Sequence, residues 1–208
     1  MSTQTQSAEV KLFDKYETSN ITITDISLAN HMLLYAKKFP HTFGKMSQRR
    51  FGKEKLSIVE RLINKIMRSG QGKRVLSGKY IRGRGGCGKK LQCIKIVERA
   101  FDVISKETKE NPLQILVRAV ENSAPREDVT QLQKGGISYS QAVDVAPMKR
   151  VDEALKNIAI AAFSQSFNSK TLAQEALAKE IILASKEDPA SFSVKRRNEV
   201  ERIAASSR

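Results

Sequence analysis

Apolar residues recur along the chain at two periods, and the longer one dominates. Leu28, His31, Met32, Tyr35, Ala36 and Phe39 fall at helical spacing, with Ser27 as a candidate N-cap and Pro40 as a stop. Leu56, Val59, Leu62, Ile63, Ile66 and Met67 form a second stripe. Arg61, Asn64, Lys65 and Arg68 occupy its other face, so this helix is expected to pack inward and show cations outward. A third stripe runs through Cys93, Ile96, Val97, Ala100, Phe101 and Ile104. Asn111 and Pro112 suit the cap and first position of a fourth helix, which continues through Leu113, Leu116, Val117 and Val120 and ends before Ala124-Pro125. Helical spacing returns at Val151, Ala154, Leu155, Ile158, Ala159 and Ala162. It appears again at Leu172, Ala173, Ala176, Leu177, Ile181 and Ala184, where Thr171 with Gln174 reads as a capping box. Val200, Ile203 and Ala204 suit a last short helix.

Between the fourth and fifth stripes the period drops to two. Ile137, Tyr139, Gln141, Val143 and Val145 alternate with Ser138, Ser140, Ala142 and Asp144, and Glu127 to Gln133 is a matching extended run. Lys134-Gly135-Gly136 supplies the turn of a β-hairpin. Two strands alone are marginal, so the arm is expected to project and be steadied by a partner. The predicted fold is therefore mainly α, a helical bundle of about six helices with a protruding β-hairpin arm. Residues 1–26 read as an N-terminal extension, with a polar, disordered first ten residues and Val10 to Thr24 extended over the body. Residues 27–208 read as one domain with a basic arm at 45–55, a Gly-rich basic insertion at 71–90 and the hairpin at 127–145.

Charge changes this picture most. The chain has 208 residues, no Trp and a formal charge of +15. From Lys45 to Arg99 there are seventeen Lys/Arg against three Asp/Glu, while the remainder carries twenty against nineteen. A surplus confined to one stretch is the footprint of a polyanionic partner, for which RNA, DNA and an anionic membrane surface are the candidates. A solvated charge run is the bland alternative, but it leaves so large a surplus without any acidic answer. Membrane binding would need a basic amphipathic helix with a wide exposed apolar face. The stripe from Leu56 to Met67 has comparable stripes to pack against, so it reads as core.

The candidate RNA contacts follow the surplus. Lys45, Arg49, Arg50, Lys53 and Lys55 are spaced too irregularly for one helix face and suit an arm tracking a phosphate backbone. Arg61, Lys65 and Arg68 follow, then Lys73, Arg74, Arg82, Arg84, Lys89 and Lys90. Phe43, Phe51 and Tyr80 are interleaved, where they can stack on bases or simply pack.

Enzymatic readings fare worse. Gly83-Arg84-Gly85-Gly86-Cys87-Gly88-Lys89-Lys90 has the spacing of a phosphate-binding loop. Lys90 stands where the magnesium-binding Ser or Thr belongs, and Lys79-Tyr80-Ile81-Arg82 is too short and charged for the strand leading in. Cys87, Cys93, His31 and His41 lack paired ligand spacing, and the carboxylates read as solvated residues among surface cations. No cofactor, metal or catalytic constellation is expected. The N-terminus lacks the apolar run of a signal peptide, so the sequon Asn20-Ile21-Thr22 carries no weight and the setting reads as cytosolic and reduced.

Six stretches in order resemble one known family: Asp25-Ile26-Ser27-Leu28, Ile58-Val59-Glu60-Arg61-Leu62, Glu110-Asn111-Pro112-Leu113-Gln114, Pro125-Arg126-Glu127-Asp128, Gln141-Ala142-Val143-Asp144-Val145-Ala146-Pro147 and Val194-Lys195-Arg196-Arg197. The chain is similar, from about Lys11 onward, to universal small-subunit ribosomal protein seven, numbered five in eukaryotic ribosomes; the N-terminal extension suits the eukaryotic branch. The resemblance implies a helical bundle with a protruding hairpin. It also implies binding to the 3′ major domain of small-subunit rRNA, a role in assembling the subunit head, and a hairpin near exit-site tRNA and departing mRNA. Neighbouring ribosomal proteins of the head and platform would be further partners, and the cytoplasm, with nucleolar assembly in a eukaryote, the location. Carried over residue by residue, Lys45, Arg49, Arg50 and Lys53 would contact rRNA, as would Lys149, Arg150, Lys195, Arg196 and Arg197. Lys134, Gly135, Gly136 and Tyr139 would lie near tRNA or mRNA. Two features depart from the family pattern. Residues 71–90 look like an insertion, whose contacts are not inherited, and the hairpin tip from Leu132 to Ser140 has one cation where relatives carry several. A free translational regulator using the same basic face is a minor alternative.

Overall fold

Local sequence signals start most of the helices, and long-range hydrogen bonds cancel one of them. The computed structural model describes residues 11–18, 21–35, 37–46, 48–70, 75–76, 79–80 and 88–208. The first ten residues and most of the Gly-rich stretch thus lie outside the described residues. Seven helices are present among the described residues: α1 (Ile26–Ala29), α2 (Ile58–Arg68), α3 (Lys90–Thr108), α4 (Pro112–Ser123), α5 (Pro147–Ser166), α6 (Ala173–Ser185) and α7 (Phe192–Ala205). A 3-10 turn spans Gly52–Lys55, and two strand pairs join β1 (Val75–Leu76) to β2 (Lys79–Tyr80) and β3 (Glu127–Lys134) to β4 (Ile137–Asp144). The mainly α bundle with a hairpin is therefore present.

The first stripe does not become a long helix. Asp25, not Ser27, caps α1, accepting from the Ser27 amide at 3.0 Å, and the helix stops after one turn. Continuing it would require the carbonyls of the following residues to accept from amides four positions on. Instead the His31 carbonyl accepts from Arg61 at 2.8 Å and the Leu33 carbonyl from the Ile58 amide at 2.9 Å. The segment after Asn30 is thus spent on tying itself to α2.

Elsewhere the periodicity holds. Asn111 caps α4 through the Leu113 amide, with Pro112 in the first turn. The box expected at Thr171 and Gln174 shifts by one residue, because Glu175 accepts from the Leu172 amide while Thr171 pairs with Ser169. The last helix is longer than expected, running 14 residues from its Ser191 cap.

α5 is the centre of the bundle, packed on α2, α4, α6 and α7, while α6 also lies on α3 and α4. Ala154, Ala159, Ala161 and Ala162 of α5 and Ala176, Ala178 and Ala184 of α6 are buried, and such small side chains let helix axes approach closely. Leu12 and Phe13 are buried as well, with the Phe13 and Tyr16 rings edge-on to Phe101. The amides of Thr22 and Thr24 then donate to Gln114 and Glu121 of α4, so the N-terminal segment does strap the body.

The hairpin keeps register from Glu127↔Asp144 to Lys134↔Ile137. Its two turn residues, Gly135 (φ 60°) and Gly136 (φ 81°), both need positive φ, which is why glycines stand there. The arm is not left wholly to a partner. The Ala142 amide donates to the Ser207 carbonyl, Arg208 pairs with Glu127, and the Arg126 amide donates to Glu201, so α7 and the residues after it grip the base.

Candidate nucleic-acid interface

Three cations from two elements meet one carboxylate on a third. Asp152 of α5 accepts from Arg61 Nη2 at 3.0 Å and from Lys53 of the 3-10 turn, with Lys65 Nζ 3.6 Å away. Burial would raise the Asp152 carboxyl, but the bonds from Lys53 and Arg61 and the field of Lys65 outweigh it and hold the group below the usual aspartate range. One anion facing three cations leaves the junction positive. Burial lowers Lys65, an effect that Asp152 only partly opposes.

The sequence placed all of α2's cations outward, and for Arg61 the structure corrects this. Its side chain is 1% exposed and donates inward to Asp152 and to the His31 carbonyl. A guanidinium so enclosed braces α2 against α5 and cannot reach a phosphate. Arg150 is corrected in the same way, since its buried guanidinium donates to Asp25 Oδ2 at 2.8 Å and Ser27 Oγ at 2.6 Å. Lys90 also turns inward, onto the buried carboxylate of Glu60 at 2.6 Å. Arg197 is mostly occupied, donating to the Asn122 carbonyl and pairing with Glu187. Nor are all carboxylates solvated. Glu60 and Glu180 are buried, and Glu180 accepts from the Ser191 and Ser193 hydroxyls and the Ser193 amide at the start of α7.

The cations that keep an exposed surface, some of them while ion-paired, form two groups. Lys45, Arg49, Arg50, Lys53, Lys55 and Arg68 are exposed. The Arg50 guanidinium lies over the Phe51 ring, whose outer surface is open, as is that of Phe43. A groove of about 350 Å³ between the end of α2 and α5 is lined by Lys65, Arg68 and Lys156, with Glu153 as the only carboxylate among the described residues there. Lys156 was missed by the sequence reading, although its spacing of seven from Lys149 puts both on one side of α5. The second group lies at the hairpin base. Lys149 bonds Asp128 at 2.7 Å and pulls its carboxyl down, with Arg196 adding to the effect, and Lys195 is exposed nearby in sequence. Lys89 is exposed. Lys73, Arg74, Arg82 and Arg84 lie outside the described residues, as does the side chain of Lys134.

Among the described residues, the strand next before α3 is the two-residue β2, paired antiparallel, and Lys90 is committed to Glu60; neither suits a nucleotide-binding loop. A cavity of about 860 Å³ sets Arg118, Arg126 and Arg197 against Asp25, Glu121, Glu187 and Glu201, so it offers no net field to a polyanion. No helix among the described residues is long and apolar enough to cross a membrane.

A family profile described as ribosomal protein S7p/S5e matches residues 30–208. The chain belongs to the S7p/S5e family of ribosomal proteins. As a family member it is a small-subunit ribosomal protein that binds rRNA and neighbouring ribosomal proteins, and its place is the ribosome. S7p/S5e proteins are structural components, in keeping with a site made of exposed cations and open aromatic faces.

Proposed function

We propose that this chain binds the 3′ major domain of small-subunit rRNA, helps to assemble the subunit head, and holds its hairpin beside exit-site tRNA and the mRNA exit path. The observation that carries the reading is the junction at Asp152. There the basic arm, α2 and α5 bring Lys53, Lys65, Arg68 and Lys156 together around two carboxylates. Lys45, Arg49, Arg50 and Lys55 extend this field along the arm, and Lys149, Lys195 and Arg196 form a second anchor at the hairpin base. Residues 27–208 act as one rRNA-binding domain, a reading supported by the single buried cluster that spans α1 to α7. Gly135, Gly136 and Tyr139 are the parts of the arm offered to tRNA or mRNA, and the 71–90 stretch adds further cations to the rRNA contact. Head and platform proteins are the expected neighbours, with nucleolar assembly in a eukaryote before the subunit works in the cytoplasm.

Hydroxyl-radical footprinting of the chain on small-subunit rRNA tests this. Backbone protection is expected to cluster in the 3′ major domain and to fade when Arg49, Arg50 and Arg68 are replaced by Ala. Protection confined to another rRNA domain would overturn it.

A further inference from the structure

The start of α2 contains an unmade bond. Ser57-Ile58-Val59-Glu60 has the Ser-x-x-Glu order of a capping box, in which the serine hydroxyl takes the amide of the fourth residue and the glutamate reaches back. Neither half forms here. Ser57 occupies the cap position without a side-chain cap bond, and its residue is 6% exposed. Its Oγ is buried with no partner among the described residues. Glu60 has been taken elsewhere, accepting from the Thr42 amide at 3.0 Å, Thr42 Oγ1 at 2.9 Å and Lys90 Nζ at 2.6 Å. All three donors reach the same oxygen, Oε1. A buried hydroxyl left unsatisfied beside a helix start that needs it calls for an explanation.

Both residues line a cavity of about 170 Å³. Its apolar lining comes from Tyr35, Pro40 and Met46, and exposed Lys37 and Lys55 also border it. The volume is well below the roughly 300–1,000 Å³ of sites that enclose a whole ligand or cofactor. It suits one flat ring. The chemistry narrows the occupant further. A phosphate placed inside would face the Glu60 carboxylate. An apolar side chain would leave the Ser57 hydroxyl unpaired, at the usual cost of a stranded polar group. A nucleobase suits both the apolar lining and the Ser57 hydroxyl, because its faces are apolar and its edge carries donors. A carboxylate accepts from amino and imino groups, and guanine presents the two side by side. Uracil presents carbonyls on either side of its one imino group, which the carboxylate repels.

We infer that this pocket receives one unstacked guanine of the bound RNA. Its Watson–Crick edge donates to Glu60 and bonds Ser57, its ring lies on Tyr35, and Lys37 and Lys55 take the flanking phosphates. The inference rests on the rRNA-binding reading above and adds a base-specific site to a surface otherwise made for phosphates.

The experiment uses the full chain, wild type, Ser57→Ala and Tyr35→Ala, on a transcript of the 3′ major domain. Guanine Watson–Crick faces are probed with kethoxal and the backbone with hydroxyl radicals. One guanine is expected to be shielded by the wild type and reactive with either variant, while backbone protection persists. Affinity is expected to fall about three- to tenfold for Ser57→Ala and about tenfold for Tyr35→Ala, with the salt slope unchanged. Free Ser57→Ala protein should melt no lower than the wild type, because the hydroxyl it loses makes no bond. A normal backbone footprint without a variant-sensitive guanine overturns the base pocket alone. Absence of a wild-type footprint on this transcript overturns the proposed function, and the pocket with it.

Discussion

Arg61, Lys53 and Lys65 share the Asp152 carboxylate, yet their surroundings give them different work. Arg61 is enclosed, so its removal takes the donor from the His31 carbonyl and one of three cations from the half-buried Asp152 carboxylate. Losing hydrogen bonds that involve a charged group costs about 1.5–3 kcal/mol. Arg61→Ala is therefore expected to lower the unfolding free energy by that order in urea titrations, whereas Arg49→Ala with Arg50→Ala should weaken RNA binding and leave the urea midpoint in place. Equal loss of stability in both variants would show that the arm is structural. Asp152 also sets a pH dependence. Its folded carboxyl lies below the unfolded value, so the stabilisation is fully present above the unfolded aspartate pKa of about 3.9 and is lost as pH falls below it through the folded pKa. Asp152→Asn should thus be less stable than wild type at pH 7, with the gap narrowing below about pH 4. Urea curves at pH 7 and pH 3 that differ by the same amount would remove this account.

Among the elements, the hairpin is the one most separable from the body. Its outer part exposes Ile137 and Tyr139, and its described ties to the rest of the chain lie near the base. Shortening Gln131 to Tyr139 to a tight turn should leave the helical circular dichroism and the rRNA footprint unchanged. If the arm works beside exit-site tRNA and mRNA, a strain whose only copy carries the shortened hairpin should make normal subunits and show raised frameshifting on reporters. Failure to assemble subunits would make the arm an rRNA anchor instead. α2 is the opposite case, since one face enters the core through Ile58, Val59, Leu62 and Ile63 while Lys65 and Arg68 line the open groove.

For the whole molecule, the charge surplus fixes how binding responds to salt. About ten phosphate contacts imply that log affinity falls against log salt with a slope between about −7 and −9. Replacing Arg49, Arg50 and Arg68 with Ala should make the slope shallower by about two to three, measured by filter binding across a salt series. A wild-type slope shallower than about −3 would mean that the basic segment is not the contact surface.

Much of the architecture was legible because it is local. The stripes of α2 to α6, the Asn111-Pro112 start and the Gly135-Gly136 turn depend on neighbours within a few positions, and the polyanion partner depends only on where the charges fall. Tertiary structure decided what locality cannot reach. The first stripe lost its helix because the carbonyls of His31 and Leu33 found better partners on α2. Arg61 and Arg150 look like any surface cation in sequence, and they became internal because Asp152 and Asp25 reach them from 91 and 125 positions away. The Ser57–Glu60 capping box reads as complete in sequence, but Thr42 and Lys90 captured its glutamate and left the hydroxyl buried. A side chain's chemistry is written in its own residue, whereas its availability is set by which distant groups the packed helices bring within hydrogen-bond reach.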